Sequence, residues 1–428
     1  MNFAVQKCIV CCILCALPRC GAAGWRISQN AAPVAETPAT EWCKRQSRHL
    51  SPSDADLLRR AQSTLLDNIV SLPVWGSYRG VEPSRSTYRG IWNWDSAFHA
   101  IAISHWDPQL AREQFNIVFD RQLANGALPD VIWEDGAAVT TLTKPPVMAW
   151  AIAVVDRRSP DVNYLRKVYP KLVRLGRFWL TERGGNADGL FYYAGSDAGE
   201  DSGWDNSIRW DNGYRKPKDD SHRLWAIDLN CYMLMHYRAM AYIASRLHLP
   251  ADEREWMRAS DRLAKRINAA LWDDRIGFYV DRDRRTGAEG AALSPAGFMP
   301  LFAHIAPPER AARVARLAAD RTKFFPGMPT AAYDTPGYES SGYWRGSTWL
   351  NVAFFALKGL HDYGFTRISD PMRSRMLRNV ERDPTTIWEY YDSRSGRGAG
   401  ARDFGWSAAF TICLILDWEN DSLTWLLQ

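Results

Sequence analysis

Two short acidic-aromatic segments carry the side chains best suited to chemistry. They are Gly199-Glu200-Asp201-Ser202-Gly203-Trp204-Asp205-Asn206-Ser207 and Ile387-Trp388-Glu389-Tyr390-Tyr391-Asp392. Each sets a carboxylate beside large rings. Two carboxylates held on opposite sides of a bound sugar are the minimum equipment for hydrolysing a glycosidic bond. The indole of Trp204 strips water from Asp205, and Glu200 and Asp201 add negative charge. Both effects raise a carboxyl pKa, as a proton donor to a leaving oxygen requires. Glu389, among Trp388, Tyr390 and Tyr391, is placed to hold and deprotonate a water. The plainer readings are a solvated loop acid for Asp205 and a buried, backbone-bonded Glu389.

Three further segments have binding chemistry. In Tyr88-Arg89-Gly90-Ile91-Trp92-Asn93-Trp94-Asp95-Ser96, two indoles precede an acid at a predicted helix start. Asp95 either takes two sugar hydroxyls or caps the helix. In Gly342-Tyr343-Trp344-Arg345-Gly346-Ser347-Thr348-Trp349, Arg345 either donates to ring hydroxyls or pairs with a structural acid. Lys144-Pro145-Pro146 opens another helix and sets Lys144 at the same mouth.

These residues need a scaffold, and the chain reads as helix after helix. Helices are predicted at about 51–70, 95–104, 108–123, 145–156, 160–182, 225–246, 251–271, 293–304, 308–319, 346–363, 370–380 and 403–418, as in the three-and-four spacing of Leu165, Val168, Tyr169, Leu172, Leu175 and Trp179. Short turns alternate with long connections at 183–222, 272–292 and 323–345, and long loops in a compact domain are usually functional. Twelve helices in alternating rings make an all-α fold, an (α/α)6 barrel over 51–428, with one cleft at its mouth. Residues 189–194 and 277–281 are expected to form short hairpins.

Composition narrows the class. The chain has 428 residues, 46% hydrophobic and 24% charged, which fits a folded protein. Its 20 tryptophans suit either sugar stacking or extra core. The net charge of +5, with no basic stripe, excludes a nucleic-acid partner. Lys7, the apolar run 8–17 and Gly21-Ala22-Ala23 read as an export signal over 1–23, placing the mature protein in the periplasm or outside the cell. Residues 24–50 read as a loose lead-in, and no segment is long and apolar enough to cross a membrane. Cys43, Cys231 and Cys413 make at most one bridge, and no spacing suggests a metal site. No feature fixes an oligomeric state.

In this order the segments resemble those of the clan of inverting α-glycosidases that holds trehalase and the processing α-glucosidase I family (glycoside hydrolase families 37 and 63). Trp94-Asp95-Ser96 looks like its Trp-Asp segment, and Gly203-Trp204-Asp205-Asn206-Ser207 its Gly-Trp-Asp segment. Tyr343-Trp344-Arg345-Gly346 looks like Tyr-Trp-Arg-Gly. Glu389-Tyr390-Tyr391, followed by Phe404-Gly405-Trp406-Ser407, looks like Glu-x-Tyr. The length and the Glu200-to-Ser207 spelling are most similar to the mannosylglycerate hydrolase branch. The resemblance implies Asp205 as general acid and Glu389 as general base. It implies Tyr88, Trp92, Trp94, Asp95, Lys144, Trp204, Tyr343, Trp344, Arg345 and Trp406 around a small glycoside, an α-linked glucoside or mannoside, with no metal or organic cofactor. One departure is Lys144, where trehalase-like members have Gln. Lysine accepts no hydrogen bond, but it could meet an anionic aglycone such as glycerate. Two other readings stay open: a polysaccharide lyase or sugar epimerase on the same barrel, and a sugar-binding protein without catalysis. The former rely on His, Tyr or Arg, and none of the eight histidines falls in these clusters.

Overall fold

Three outer helices start where a side-chain oxygen satisfies one of their free N–H groups. Ser51 Oγ accepts from the Asp54 N–H (3.1 Å) at the start of α1 (Pro52–Asp67). Asp107 accepts from Leu110 N–H (2.8 Å) at α3 (Pro108–Phe119), and Asp161 from Tyr164 N–H (2.9 Å) at α5 (Val162–Glu182). The outer ring is completed by α7 (Pro250–Ala270), α9 (Pro308–Ala319) and α11 (Thr366–Glu381). These helices bury one face, and α5 buries the predicted Leu165, Val168, Tyr169, Leu172, Leu175 and Trp179.

The alternating inner helices are α2 (Asn93–Ile103), α4 (Met148–Arg158), α6 (Ile227–Arg246), α8 (Met299–Phe302), α10 (Leu350–Asp362) and α12 (Gly405–Leu416). All of α2 is buried, and so are Gly405 to Leu414 of α12, because each inner helix has neighbours on every side. Each inner helix packs on the next, and α12 returns to α1 and α2, closing the ring. The result is the expected (α/α)6 barrel. Connections from inner to outer helices are short. Those from outer to inner helices are long and gather at the N-terminal ends of the inner ring.

The computed structural model describes residues 37–428, and Pro38–Gln428 forms one compact unit. The expected export signal at 1–23, and residues 24–36, lie outside the described residues. The loose lead-in needs correction in its second part. Pro38–Ser47 is a helix that packs on α1 and buries Trp42 and Cys43, whose apolar surface is worth covering. Among the described residues the cysteines Cys43, Cys231 and Cys413 are free and buried, and no helix is long and apolar enough to cross a membrane.

Two local expectations also change. The helix over 293–304 breaks into a 3-10 turn, Pro295–Phe298, and the short α8, because Pro295 and Pro300 cannot donate to a continuous ladder. Residues 189–194 form no hairpin. Asn230 takes both backbone groups of Phe191, through Oδ1 from N–H (2.9 Å) and Nδ2 to C=O (3.0 Å), leaving one bridge between Tyr192 and Trp225. Phe278–Tyr279 does pair, with Trp272–Asp273.

Candidate active site

A cavity of about 340 Å³ opens at the N-terminal ends of the inner helices, a size suited to a small glycoside. Tyr88, Trp92, Trp94, Asp95, Lys144, Asp205, Tyr343, Trp344, Glu389 and Trp406 all line it. They come from the connections that precede α2, α4, α6, α10 and α12, or from the first turns of α2 and α12. A larger hollow of about 680 Å³ lies on the outer wall by Tyr169 and Trp256, away from all of them.

The loop carrying Asp205 is fixed by its own motif. Asp197 caps the single turn Ala198–Ser202, and Asp201 accepts from the N–H groups of Thr143 (2.8 Å), Ala194 (3.2 Å) and Gly195 (3.1 Å). Gly203, at φ 75°, makes the turn against the Trp94 ring, where a Cβ would collide. Asn206 joins this loop to the Tyr343–Trp344 loop. Its Oδ1 accepts from Trp344 N–H (2.9 Å), and its Nδ2 donates to Gly342 C=O (3.2 Å).

Glu389 opens the strand Tyr390–Tyr391, which pairs with Gly398–Ala399. Its Oε2 accepts from Ala401 N–H (2.8 Å), while Tyr88 (3.0 Å) and Tyr343 (3.4 Å) donate to Oε1. Gly400, at φ 80°, keeps clear of Oε2, where a Cβ would sit 2.5 Å away. The Tyr343 phenol also faces Asp205 closely enough to favour its ionised form. The same Tyr343 has φ 62°, a sparsely populated conformation for a bulky side chain.

The two carboxyl groups have different surroundings. Asp205 touches the cavity but is crowded by protein elsewhere. Burial lifts its pKa to about 7; Glu200 and Asp130 push the same way, against Lys144 and the Tyr343 phenol. Burial also raises Glu389, but three donors oppose it. Burial holds the Tyr343 and Tyr88 phenols well above their ordinary range, so both remain donors.

Asp95 is not the helix cap. Trp92 holds that position without a side-chain bond, and the buried Asp95 carboxyl lines the cavity, its pKa raised by burial against the pull of Lys144. Lys144 is buried and lies 3.0 Å from Asp130, and it donates to Glu200 C=O. Burial works against its charge, but Asp130, Asp205 and Glu200 outweigh that and hold its pKa up.

Two predicted contacts do not reach the cavity. Arg345 pairs with Asp211 (2.9 and 3.2 Å) and donates to Asn206 C=O (3.2 Å), so it braces the acid loop, the salt-bridge alternative. Trp204 is buried beneath the wall with its ring on Trp344 (5.2 Å, 26°). Asp130 and Trp133, which no motif singles out, also line the cavity, as does Phe404 of the segment that carries Trp406. The pairing of Gly90–Trp92 with Val131–Trp133 brings Trp133 to the rim, edge-on to Trp92 (5.1 Å). Neither segment alone signals that partnership.

The family model for the mannosylglycerate hydrolase MGH1-like glycoside hydrolase domain matches residues 88–407, which takes in every lining residue but Pro83. A mannosylglycerate hydrolase of Rubrobacter radiotolerans is 25% identical, across 86% of this chain and 98% of its own. The crystal structure of the glycoside hydrolase family 63 mannosylglycerate hydrolase from Thermus thermophilus in complex with glucose superposes with a TM-score of 0.73. It is 26% identical and covers 83% of this chain and 99% of its own. Neutral trehalase of Saccharomyces cerevisiae shares the fold, at a TM-score of 0.65 and 18% identity, over 82% and 75% of the two chains. The chain belongs to the MGH1-like family of glycoside hydrolase family 63 and is a glycoside hydrolase.

Proposed function

We propose that this enzyme hydrolyses an α-linked mannoside or glucoside with inversion, with Asp205 as general acid and Glu389 as general base. The observation that carries the reading is the cavity that both carboxyl groups line, together with the Tyr343 phenol that donates to Glu389. Asp205 protonates the departing oxygen. Glu389, held by Ala401 N–H, Tyr88 and Tyr343, takes a proton from a water that attacks the anomeric carbon from the other face. Trp94 and Trp406 offer apolar surface to the sugar, Trp344 offers the ring edge left free between Trp204 and Trp349, and Asp95 accepts from its hydroxyls. Asp205→Asn and Glu389→Gln are each expected to lose about 10²–10⁴ in kcat with the fold intact. Near-normal turnover in either variant, or a product that first appears in the substrate's anomeric configuration, rejects the scheme.

The names of the relatives support mannosylglycerate, with its anionic aglycone. A second reading, a neutral aglycone, is favoured by the charge of the wall. Asp95, Asp130, Glu200, Asp205 and Glu389 line the cavity with Lys144 as their cation, and Lys144 is already paired with Asp130. Monosaccharide release from mannosylglycerate and glucosylglycerate, set against neutral α-linked disaccharides, decides between them. The Lys7, apolar 8–17 and Gly21-Ala22-Ala23 pattern supports export of the enzyme. Fractionation of a cell producing the full chain tests this, and recovery only in the cytoplasm with residue 1 intact rejects it.

A further inference from the structure

Four aromatic rings form a continuous pile behind the cavity. Trp204 stacks on Trp344 (5.2 Å, 26°), Trp344 on Trp349 (3.9 Å, 7°), and Trp349 on Tyr390 (4.9 Å, 25°). The end members are the chain neighbours of the two carboxylates: Trp204 precedes Asp205, and Tyr390 follows Glu389. One end is anchored. The Arg209 guanidinium lies 4.7 Å over Trp204, clamped by Asp228 (2.7 and 3.0 Å) and Asp281 (2.8 and 3.0 Å), all three buried. The middle is tied to Tyr343, whose phenol donates to Glu389. Trp349 Nε1–H donates to the backbone C=O of Tyr343 (3.1 Å), and the two rings meet edge to face (5.0 Å). Trp349 and Tyr390 are not in the cavity wall, so neither meets the sugar.

We infer that the pile Trp204–Trp344–Trp349–Tyr390 is a spacer that sets the separation of Asp205 and Glu389, with Trp349 and Tyr390 as positioning residues. This rests on the assignment of those two carboxylates above. Flat rings in contact resist compression, because protein interiors are packed like crystals. Such a column transmits position from the Arg209 anchor to the Glu389 strand. An inverting site depends on the gap that admits its water, and a displacement near 1 Å can cost on the order of 100-fold in rate. The Trp349 bond to the Tyr343 carbonyl holds the strained backbone that aims the phenol at Glu389.

Tyr390 is the clean site for a test. It is half-buried on a short strand, where a β-sheet position tolerates apolar replacement. Tyr390→Leu removes the terminal ring, and Tyr390→Phe keeps it. Tyr390→Leu is expected to lower kcat about 10- to 100-fold with KM within about threefold, and to displace the acid limb of the kcat profile. Tyr390→Phe is expected to match wild type. Trp349→Phe, which keeps a ring but loses the N–H, is expected to fall between. A Tyr390→Leu protein with wild-type kcat and pH profile, even at a lower melting temperature, overturns the spacer. So does equal impairment of Tyr390→Leu and Tyr390→Phe. Asp205→Asn and Glu389→Gln measured alongside report on the catalytic assignment itself. If they abolish turnover while Tyr390→Leu does not, the spacer alone fails.

Discussion

Replacing Asp205 by Asn should destroy turnover and yet stabilise the protein, and the size of that gain should depend on pH. Asp205 is lifted from an ordinary 3.8 to about 7, first by burial, then by Glu200 and Asp130, against Lys144 and Tyr343. That change is roughly a thousandfold in proton affinity, or up to about 4 kcal/mol. The sign follows from proton counting. Between the two values the native state holds the proton and the unfolded chain does not, so stability falls as pH rises. Below pH 3.8 both states hold it and nothing is lost; above about 7 neither does and the full cost is felt. Asparagine has no such cost. The stability difference, Asp205→Asn minus wild type, should therefore grow by about 3–4 kcal/mol between about pH 4 and pH 8. Urea unfolding of both proteins at each pH measures it. The same ionisation should appear in wild-type kcat/KM as a loss of activity on the basic side near pH 7. A stability difference that is flat with pH, or that shrinks as pH rises, would show Asp205 already ionised at mildly acid pH and unable to serve as the proton donor.

Two further outcomes follow from the charges around that carboxyl. Lys144→Met removes the cation that opposes the rise of Asp205 and should move the basic limb of kcat/KM upward by on the order of one pH unit, whereas Glu200→Gln removes a carboxylate that drives the rise and should move it downward; limbs that move together, or not at all, contradict the coupling. Arg209→Leu leaves Asp228 and Asp281 buried without their partner and should cost about 3–5 kcal/mol in chemical unfolding. Part of that loss should return at acid pH as the orphaned carboxylates take up protons, and a deficit independent of pH would mean the clamp is not electrostatic.

The barrel was legible because helix periodicity is a local signal. Leu165 to Trp179 recur on one face whatever surrounds them, and the alternation of short and long connections put the long loops together at one mouth. Where the pattern misled, a tertiary partner had intervened. Asn230 occupied the backbone of Phe191 and removed a hairpin, and burial of Trp42 and Cys43 ordered a segment whose Ala, Pro and Thr content suggests none. The site was legible for a different reason. Asp205 and Glu389 stand among aromatic residues at loop positions, where an acid without a cationic neighbour needs an explanation. Asp130 gave no such signal, since its meaning comes from Lys144, farther along and across a turn of the chain.

The misplaced residues point to something about motifs of this kind. Trp204 and Arg345 sit inside the segments that carry the chemistry, and neither reaches the cavity. Trp204 bears on Trp344, and Arg345 pairs with Asp211 and the backbone of Asn206. A side chain that touches the sugar and one that holds the first in place are subject to equally strict geometry, so both leave the same mark in a sequence. Only packing separates them. Trp344 belongs to both groups: one part of its surface lines the cavity and its ring is stacked between Trp204 and Trp349. The tryptophan richness that suggested sugar stacking or extra core is, around this site, divided between rings that line the cavity and rings packed behind them. On the reading proposed above, the first meet the substrate and the second fix where the two carboxylates stand.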